Sequence, residues 1–301
     1  NGENIYIDGV EFTPVKHKEE NKVYVYLTGT KIYAVKVGGT ETKYIYNSEQ
    51  AKFVEVLDIT AEDFVFSAPQ NNVYDGTAKT ASVISADNAT DITVTLNYFL
   101  VNEGGTLTAV DEAVNAGTYQ VKIDVKSDAG VYPGLTDDNW KFTVVPADFS
   151  ADAVLTVTSE TITYNGEEKK PSYILKLGET TLAVGTDFTL EYVNNINAGT
   201  ATIQATGCGN YTGVVNADFT INKAVPTADL FEFVSNDPVY TTEVLTAPVT
   251  VTVKSGITGL GDMTIKYSDT PKNAGDYTVS VDVAEGGNYY DASGITSADW
   301  K

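Results

Sequence analysis

Short segments in which apolar and polar residues alternate recur along the chain. In residues 120–125, Val121 and Ile123 stand between the polar residues Gln120, Lys122 and Asp124. A period of two is typical of an antiparallel strand with one face on a core and the other in water. No window of eleven or more residues has a sustained helical period. The pattern therefore predicts an all-β protein.

The strands belong to an internal repeat. The tripeptide Asn-Ala-Gly occurs three times, each time after a strand that ends in Tyr and before an alternating strand. A Gly-Xaa-Tyr turn follows further on, and two of the copies close with Phe-Thr-Val or Phe-Thr-Ile. The tripeptides lie at 115–117, 197–199 and 273–275, the turns at 130–132, 209–211 and 287–289, and the closing strands at 142–144 and 219–221. Self-similarity at a fixed period indicates a tandem array.

The junctions between copies set the predicted domains. We expect a first repeat at 58–145, a second at 146–223 and a third at 224–301. Residues 1–57 lie outside the repeat and predict a small β-rich N-terminal domain or a fragment of one, with a hairpin over 22–37 and a third strand at 42–46. The greater length of the first repeat predicts an enlarged loop around 102–105.

The third repeat is expected to be incomplete at its C-terminal end. Trp140 and Trp300 occupy equivalent positions, and a Phe-Thr-Val strand follows only Trp140. The missing neighbour would leave a strand edge open in the third repeat.

Six or seven short strands per repeat, with turns every eight to twelve residues, predict a small antiparallel sandwich, immunoglobulin-like or related. Asp75-Gly76 and Asn165-Gly166 suit tight hairpins. In such sandwiches a Tyr entering a late strand can hydrogen-bond back across the preceding turn. The second repeat has Ala201 at that position, so the bond is not expected there. The predicted structural motif consists of Asn115, Gly117, Tyr119, Asn197, Gly199, Asn273, Gly275 and Tyr277.

The charge of the chain limits its partners. Nineteen Lys, no Arg and forty-one acidic residues give a net charge of −22. Such a surface repels phosphate backbones and lacks the guanidinium forks that grip them, which argues against nucleic acid. Anionic membrane surfaces are disfavoured for the same reason. No apolar run approaches eighteen residues, so no membrane insertion of this segment is predicted. We expect a monomer.

The residue types that carry catalysis are scarce. The single histidine, His17, stands in a run of Lys and Glu, and the single cysteine, Cys208, stands in a turn-like stretch. Nucleophilic catalysis needs a base beside the nucleophile, and zinc needs several His or Cys ligands. We predict no catalytic residue and no cofactor.

Calcium is the one metal for which the sequence offers weak candidates. Asp87 and Asp91 form one oxygen-rich cluster, and Asp137 and Asp138 form another. Oxygen ligands are what Ca²⁺ requires. The alternative interpretation is that these residues are solubilising turn formers.

The Tyr-Asp-Gly or Tyr-Asn-Gly opening, Asn-Ala-Gly-Thr, Gly-Asn-Tyr-Thr-Gly at 209–213 and the Phe-Thr-Ile close resemble MBG/YDG-type repeats. The resemblance covers about 58–301 and is best in the second repeat. Those repeats occur in tandem in large bacterial surface and secreted proteins. The resemblance therefore implies extracellular display at a bacterial cell surface, often adhesin-like, without catalytic residues to carry over.

Two functions remain open at this point. The first is a non-enzymatic structural or adhesion module, a stalk or adhesin with an undetermined protein or glycan ligand. The alternative is a carbohydrate-binding module that uses exposed Tyr and Trp side chains together with Asn and Asp in loops.

Overall fold

The residues that the structure describes form strands joined by turns. The computed structural model describes residues 5–7, 10–12, 23–29, 32–37, 40–47, 52–57, 59–87, 92–127, 131–158, 161–236, 239–245 and 248–301. The helical elements of these residues are three 3-10 turns, Ala61–Asp63, Glu103–Gly105 and Ala228–Leu230. Within the same residues, no helix has the length and apolar character needed to cross a bilayer. The prediction of an all-β protein is confirmed. The chain divides into two compact units, Asn1–Ala147 and Asp148–Lys301.

The first unit begins with two small antiparallel sheets. One contains β1 (Ile5–Ile7) and β2 (Val10–Phe12); the other contains β3 (Val23–Gly29), β4 (Ile32–Val37), β5 (Thr40–Asn47) and β6 (Lys52–Glu55), paired in that order. The predicted hairpin is confirmed because β3 pairs antiparallel with β4. The structure adds β6, a fourth strand of the meander that the sequence analysis did not predict.

The remainder of the first unit, which contains the first repeat, has two further sheets. One pairs β7 (Phe64–Ser67) with β8 (Ser82–Ser85); the other contains β9 (Ile92–Val101), β10 (Leu107–Val110), β11 (Gly117–Ser127), β12 (Val131–Leu135) and β13 (Lys141–Val144). The order of the larger sheet is β10-β9-β11-β12, and β13 pairs with the first residues of β11. Alternation buries Val121, Ile123 and Val125, which share one hydrophobic cluster with Phe64 and Val83 of the smaller sheet.

Two sequence-based expectations are wrong in detail. The enlarged loop around 102–105 is a hairpin in which β10 pairs with the end of β9. Gly104 and Gly105 both have a φ of 81°, which a tight turn requires, and the Asn102 side chain donates to Thr108 Oγ1 at 2.8 Å. The residues that lengthen the first repeat therefore widen its sheet.

Neither Asp75-Gly76 nor Asn165-Gly166 forms a tight hairpin. The Asp75 side chain accepts a hydrogen bond from the backbone N–H of Thr77 at 2.9 Å. The Asn165 side chain accepts one from the backbone N–H of Glu167 at 3.0 Å. The preceding residues instead form parallel pairs with the end of the repeat, as in the bridge from Val73 to Val145. Asp75 also pairs with the nearly buried Lys79 at 2.6 Å, and this hydrogen-bonded cation lowers the pKa of the Asp75 carboxyl.

The second unit contains the second and third repeats, with the short strand β14 (Ala147–Asp148) at its boundary. The second repeat has β15 (Ala153–Val157), β16 (Ile162–Thr163), β17 (Tyr173–Leu177), β18 (Thr180–Thr181), β19 (Phe188–Val193), β20 (Gly199–Gly207), β21 (Tyr211–Thr212) and β22 (Val214–Asn222). Its two main sheets have the orders β15-β17-β18 and β16-β22-β20-β19. The third repeat pairs β23 (Phe231–Ser235) with β24 (Val249–Val253), and β25 (Met263–Tyr267) with β26 (Val279–Val283) and β27 (Ala292–Ile295).

Trp140 and Trp300 have matching environments. Trp140 meets Phe64 edge-on at a centroid distance of 6.4 Å and stacks on Phe66 at 6.5 Å. Trp300 meets Phe231 edge-on at 6.0 Å and stacks on Phe233 at 5.8 Å. Each tryptophan is 5% exposed. In both repeats the indole packs against both aromatic side chains of one strand.

We expect Trp140→Ala to lower the free energy of unfolding by about 3–5 kcal/mol, because it removes a large buried side chain and leaves a cavity. Urea denaturation followed by tyrosine fluorescence and circular dichroism measures the change. Tyr240→Ala is the control, since that side chain is 58% exposed and should cost little. Equal small effects from both substitutions would show that the indole does not hold the sheets together.

Candidate functional site

The Asn-Ala-Gly turns of the first and third repeats are spanned by tyrosine hydroxyls. Tyr119 Oη donates to the carbonyl of Asn115 at 2.7 Å, and Tyr277 Oη donates to the carbonyl of Asn273 at 2.8 Å. The Tyr119 ring is 3% exposed and stacks on Phe142. Its burial raises the pKa of the Tyr119 phenol, so the hydroxyl remains a donor across the physiological pH range.

The glycines of the motif are not alike. Gly117 has a φ of 155°, and a Cβ there would lie 2.8 Å from Leu100 Cδ1. Gly199 has a φ of 130°, again a conformation that favours glycine. Gly275 is not in this region, and a Cβ would meet nothing within 4 Å. The third turn therefore has a different backbone from the other two.

In the second repeat, the turn is held by a residue of the third repeat. The side-chain oxygen of Asn288 accepts from the backbone N–H of Ala198 at 2.9 Å. The amide nitrogen of Asn288 donates to Asn197 Oδ1 at 3.1 Å and to the carbonyl of Thr258 at 3.1 Å. Asn288 is 5% exposed. Where Ala201 removes the possibility of a tyrosine bond, Asn288 supplies bonds to the same turn.

The two repeats of the second unit also share apolar contacts. Tyr289 packs edge-on against Tyr164 at 5.4 Å and is a buried member of the hydrophobic cluster of the second repeat. Leu230 and Leu260 contact both this cluster and that of the third repeat. On the surface, Lys223 pairs with Glu285 at 2.5 Å. We call this set of contacts the repeat junction.

The backbone where the first and third repeats begin pairs with the Gly-Xaa-Tyr segment of the same repeat. Ala224 donates to the carbonyl of Asn288 at 2.9 Å and accepts from Tyr290 at 2.9 Å. In the first unit, Leu57 donates to the carbonyl of Val131 at 3.0 Å. The recurring turn thus anchors the incoming chain, a role that its repetition in the sequence could have suggested. No pattern in the sequence indicates that the side chains of Asn288 and Tyr289 contact the second repeat.

The structure brings no third acidic group to the calcium candidates that it describes. Asp87 and Asp138 are exposed, and Asp91 lies outside the described residues. The Asp137 carboxylate accepts from the backbone of Asn139 at 2.7 Å. Within the described residues there is no group of three or more His, Cys, Asp or Glu arranged to hold a metal ion. Asp137 thus takes part in shaping its own turn.

The aromatic residues considered for sugar binding fall into two groups. Trp140 and Trp300 are buried against phenylalanines, so a sugar ring cannot stack on them in this conformation. Tyr240 and Tyr290 are 58% and 45% exposed. A stacking site would have to use such tyrosines.

No protein-family model, curated protein or solved structure matches the chain.

We expect Tyr119→Phe to cost about 1 kcal/mol of unfolding free energy, because it removes the partly buried hydrogen bond from the Tyr119 hydroxyl to the Asn115 carbonyl. Tyr277→Phe is the matched variant, and it should cost less because water can reach its more exposed bond. Thermal and urea denaturation of both variants measure the difference. A larger loss in Tyr277→Phe would contradict this ranking.

Proposed function

We propose that the chain is a non-enzymatic structural and adhesion module, a tandem-repeat stalk or adhesin displayed outside a bacterial cell. Its repeats would be immunoglobulin-like sandwiches of the MBG/YDG type. The observation that carries the proposal is the repeat junction, where Asn288 and Tyr289 of the third repeat complete the second. In repeat arrays, stability comes from each unit and from its interface with the next.

The likeness of the first and third repeats supports the same function. Gly134 donates to the Asp124 carboxylate at 2.7 Å, and Gly294 donates to the Asp282 carboxylate at 2.8 Å. Thr136 Oγ1 bonds the carbonyl of Val121 at 2.9 Å, and Thr296 Oγ1 bonds that of Val279 at 2.7 Å. Repetition of the same internal bonds is what an array of equivalent units needs. The acidic charge of −22 keeps such a chain soluble outside the cell.

A stalk should unfold under load in discrete steps. Pulled between its ends with optical tweezers, the chain should gain roughly 26–32 nm of contour length per repeat, given 3.3–3.6 Å per extended residue and the predicted repeat lengths. A smooth extension without steps would argue against a load-bearing array.

The junction can be tested with two neighbouring tyrosines. Tyr289→Ala removes a buried ring and should lower the stability of the second unit by about 3 kcal/mol. It should also separate the unfolding of the second and third repeats into two transitions. Tyr290→Ala, 45% exposed, is the control and should leave one transition. A single transition in both variants would mean that the ring does not couple the repeats.

Carbohydrate binding remains the second candidate because of the exposed Tyr240 and Tyr290. A glycan array should then show reproducible binding that Tyr240→Ala or Tyr290→Ala reduces by about two- to twelvefold, since an aromatic contact contributes about 0.5–1.5 kcal/mol. Binding should persist in Trp140→Phe, since that indole is buried. The absence of binding to any host or bacterial polysaccharide on the array would contradict the carbohydrate-binding function.

A further inference from the structure

A loop of the second repeat carries an Asn-Gly pair where the equivalent loop of the first repeat carries Asp-Gly. Residues 74–79 have the sequence Tyr-Asp-Gly-Thr-Ala-Lys, and residues 164–169 have the sequence Tyr-Asn-Gly-Glu-Glu-Lys. The lysine that ends each segment donates its backbone N–H to the residue two positions before the Asn-Ala-Gly turn of its repeat. These bonds join Lys79 to Ala113 at 2.9 Å and Lys169 to Asn195 at 2.7 Å. Asn165 therefore takes the place of Asp75.

Two donors converge on the side-chain oxygen of Asn165. The backbone N–H of Glu167 donates to Asn165 Oδ1 at 3.0 Å, and the Lys169 ammonium donates to the same atom. A lysine amine is protonated at neutral pH, so Lys169 acts here as a donor and not as a nucleophile. Donors aimed at a carbonyl oxygen stabilise the negative charge that develops there when its carbon is attacked. The Asn165 amide is accordingly polarised for attack.

The leaving group and the nucleophile lie in the same loop. Asn165 Nδ2 donates to Glu167 Oε2 at 3.0 Å, so a carboxylate holds the nitrogen that would depart. Gly166 has a φ of 83° and no Cβ, so no side chain hinders the approach of its backbone nitrogen to the Asn165 side chain. Asn165, Gly166 and Glu167 are all exposed, which gives water access to the reacting atoms.

We propose that Asn165 is a self-deamidation site assisted by Lys169. The Gly166 backbone nitrogen attacks Asn165 Cγ, the bond from Cγ to Nδ2 breaks, and the amide proton of Gly166 leaves with the ammonia. Water then opens the resulting succinimide: its hydroxyl adds to one carbonyl carbon, and its proton goes to the ring nitrogen. The product is aspartate or isoaspartate, and the chain gains one negative charge. Water is the only co-reactant.

The first repeat shows the contact that the aspartate product can make. The Asp75 carboxylate pairs with Lys79 at 2.6 Å, and this lysine side chain is 5% exposed. Lys169 already contacts the Asn165 oxygen, so the new carboxylate has a cation beside it. Glu167 is exposed and can turn to solvent once the amide no longer donates to it. Deamidation thus gives the second repeat the acid–lysine pair of the first.

Incubation of the folded full chain near neutral pH in water enriched in oxygen-18 tests the reaction. Peptide mapping by mass spectrometry should show, at position 165, a growing fraction in which the amide is replaced by a carboxyl group containing one oxygen-18. Asn197 is the control in the same digest, because the Cβ of Ala198 hinders the equivalent attack. No oxygen-18 at position 165, or equal incorporation at both positions, would overturn the proposal.

Two neighbouring lysines separate assistance from general surface reactivity. Lys169→Met should slow the loss of ammonia about tenfold, less than the hundredfold or more that a buried oxyanion donor contributes in an enzyme. Lys170→Met is the matched control, because the Lys170 ammonium pairs with Glu168 at 2.7 Å. Its rate should equal that of the parent chain. Equal rates in the two variants would overturn the proposal.

A cross-link between Asn165 and Lys169 is the competing product. It would also release ammonia, but it would take up no oxygen-18 and would leave the mass of the chain permanently lower. Digestion would then yield a branched peptide that joins the two side chains. That result would overturn the proposal, since it would make Lys169 the nucleophile in place of Gly166.

The Asn165→Asp variant tests the product. In an NMR pH titration, the pKa of its new carboxyl should lie below the ordinary value of about 3.9, as the hydrogen-bonded Lys79 lowers the pKa of Asp75. Adding Lys169→Met should return the titration to the ordinary range. An ordinary pKa in Asn165→Asp with Lys169 present would overturn the proposed acid–lysine pair.

Discussion

The structure depends on keeping two small sheets together in each repeat. Neither sheet has enough apolar surface to be stable alone, so each must cover one face with the other. Trp140 and Trp300 provide much of that cover, each lying against two phenylalanines of the opposite sheet. The alternating strands β11 and β26 contribute valines and an isoleucine that are almost fully buried.

A repeat this small can bury only a small hydrophobic core. In the second unit, the third repeat contributes a side chain to the core of the second repeat. The second repeat has no tryptophan, and its cluster includes Tyr289 from the third repeat. The same turn of the third repeat satisfies the backbone of Ala198 through the Asn288 side chain. Polar and apolar contacts at the repeat junction thus reinforce each other, because the buried amide is bonded on both sides and the tyrosine beside it excludes water.

Closure of a sheet edge by the last strand of the repeat recurs in the first and second repeats. An edge strand carries unpaired N–H and C=O groups, and a partner strand can satisfy them. Two repeats satisfy theirs internally through β13 and β22. In the third repeat, Tyr267 and Tyr277, the equivalents of Tyr98 and Tyr119, line one cleft.

The sequence by itself determined the strands and their repetition, because period-two alternation and turn residues act locally. The alternation of residues 120–125 predicted a half-buried strand, and the tripeptide at 115–117 predicted a turn that a tyrosine could span. The repeat also aligned Trp140 with Trp300, and each of these indoles stacks on one phenylalanine and meets another edge-on. The local pattern predicted the wrong structure at two places. Residues 102–105 connect two paired strands, and the segment before Asp75-Gly76 forms a parallel bridge. Both outcomes depend on which other backbone segment lies alongside. Only the tertiary structure decided that Asn288 reaches Asn197 and that Tyr267 and Tyr277 face one cleft. These residues are far apart in the chain, so tertiary packing and not their spacing in the sequence brings them together.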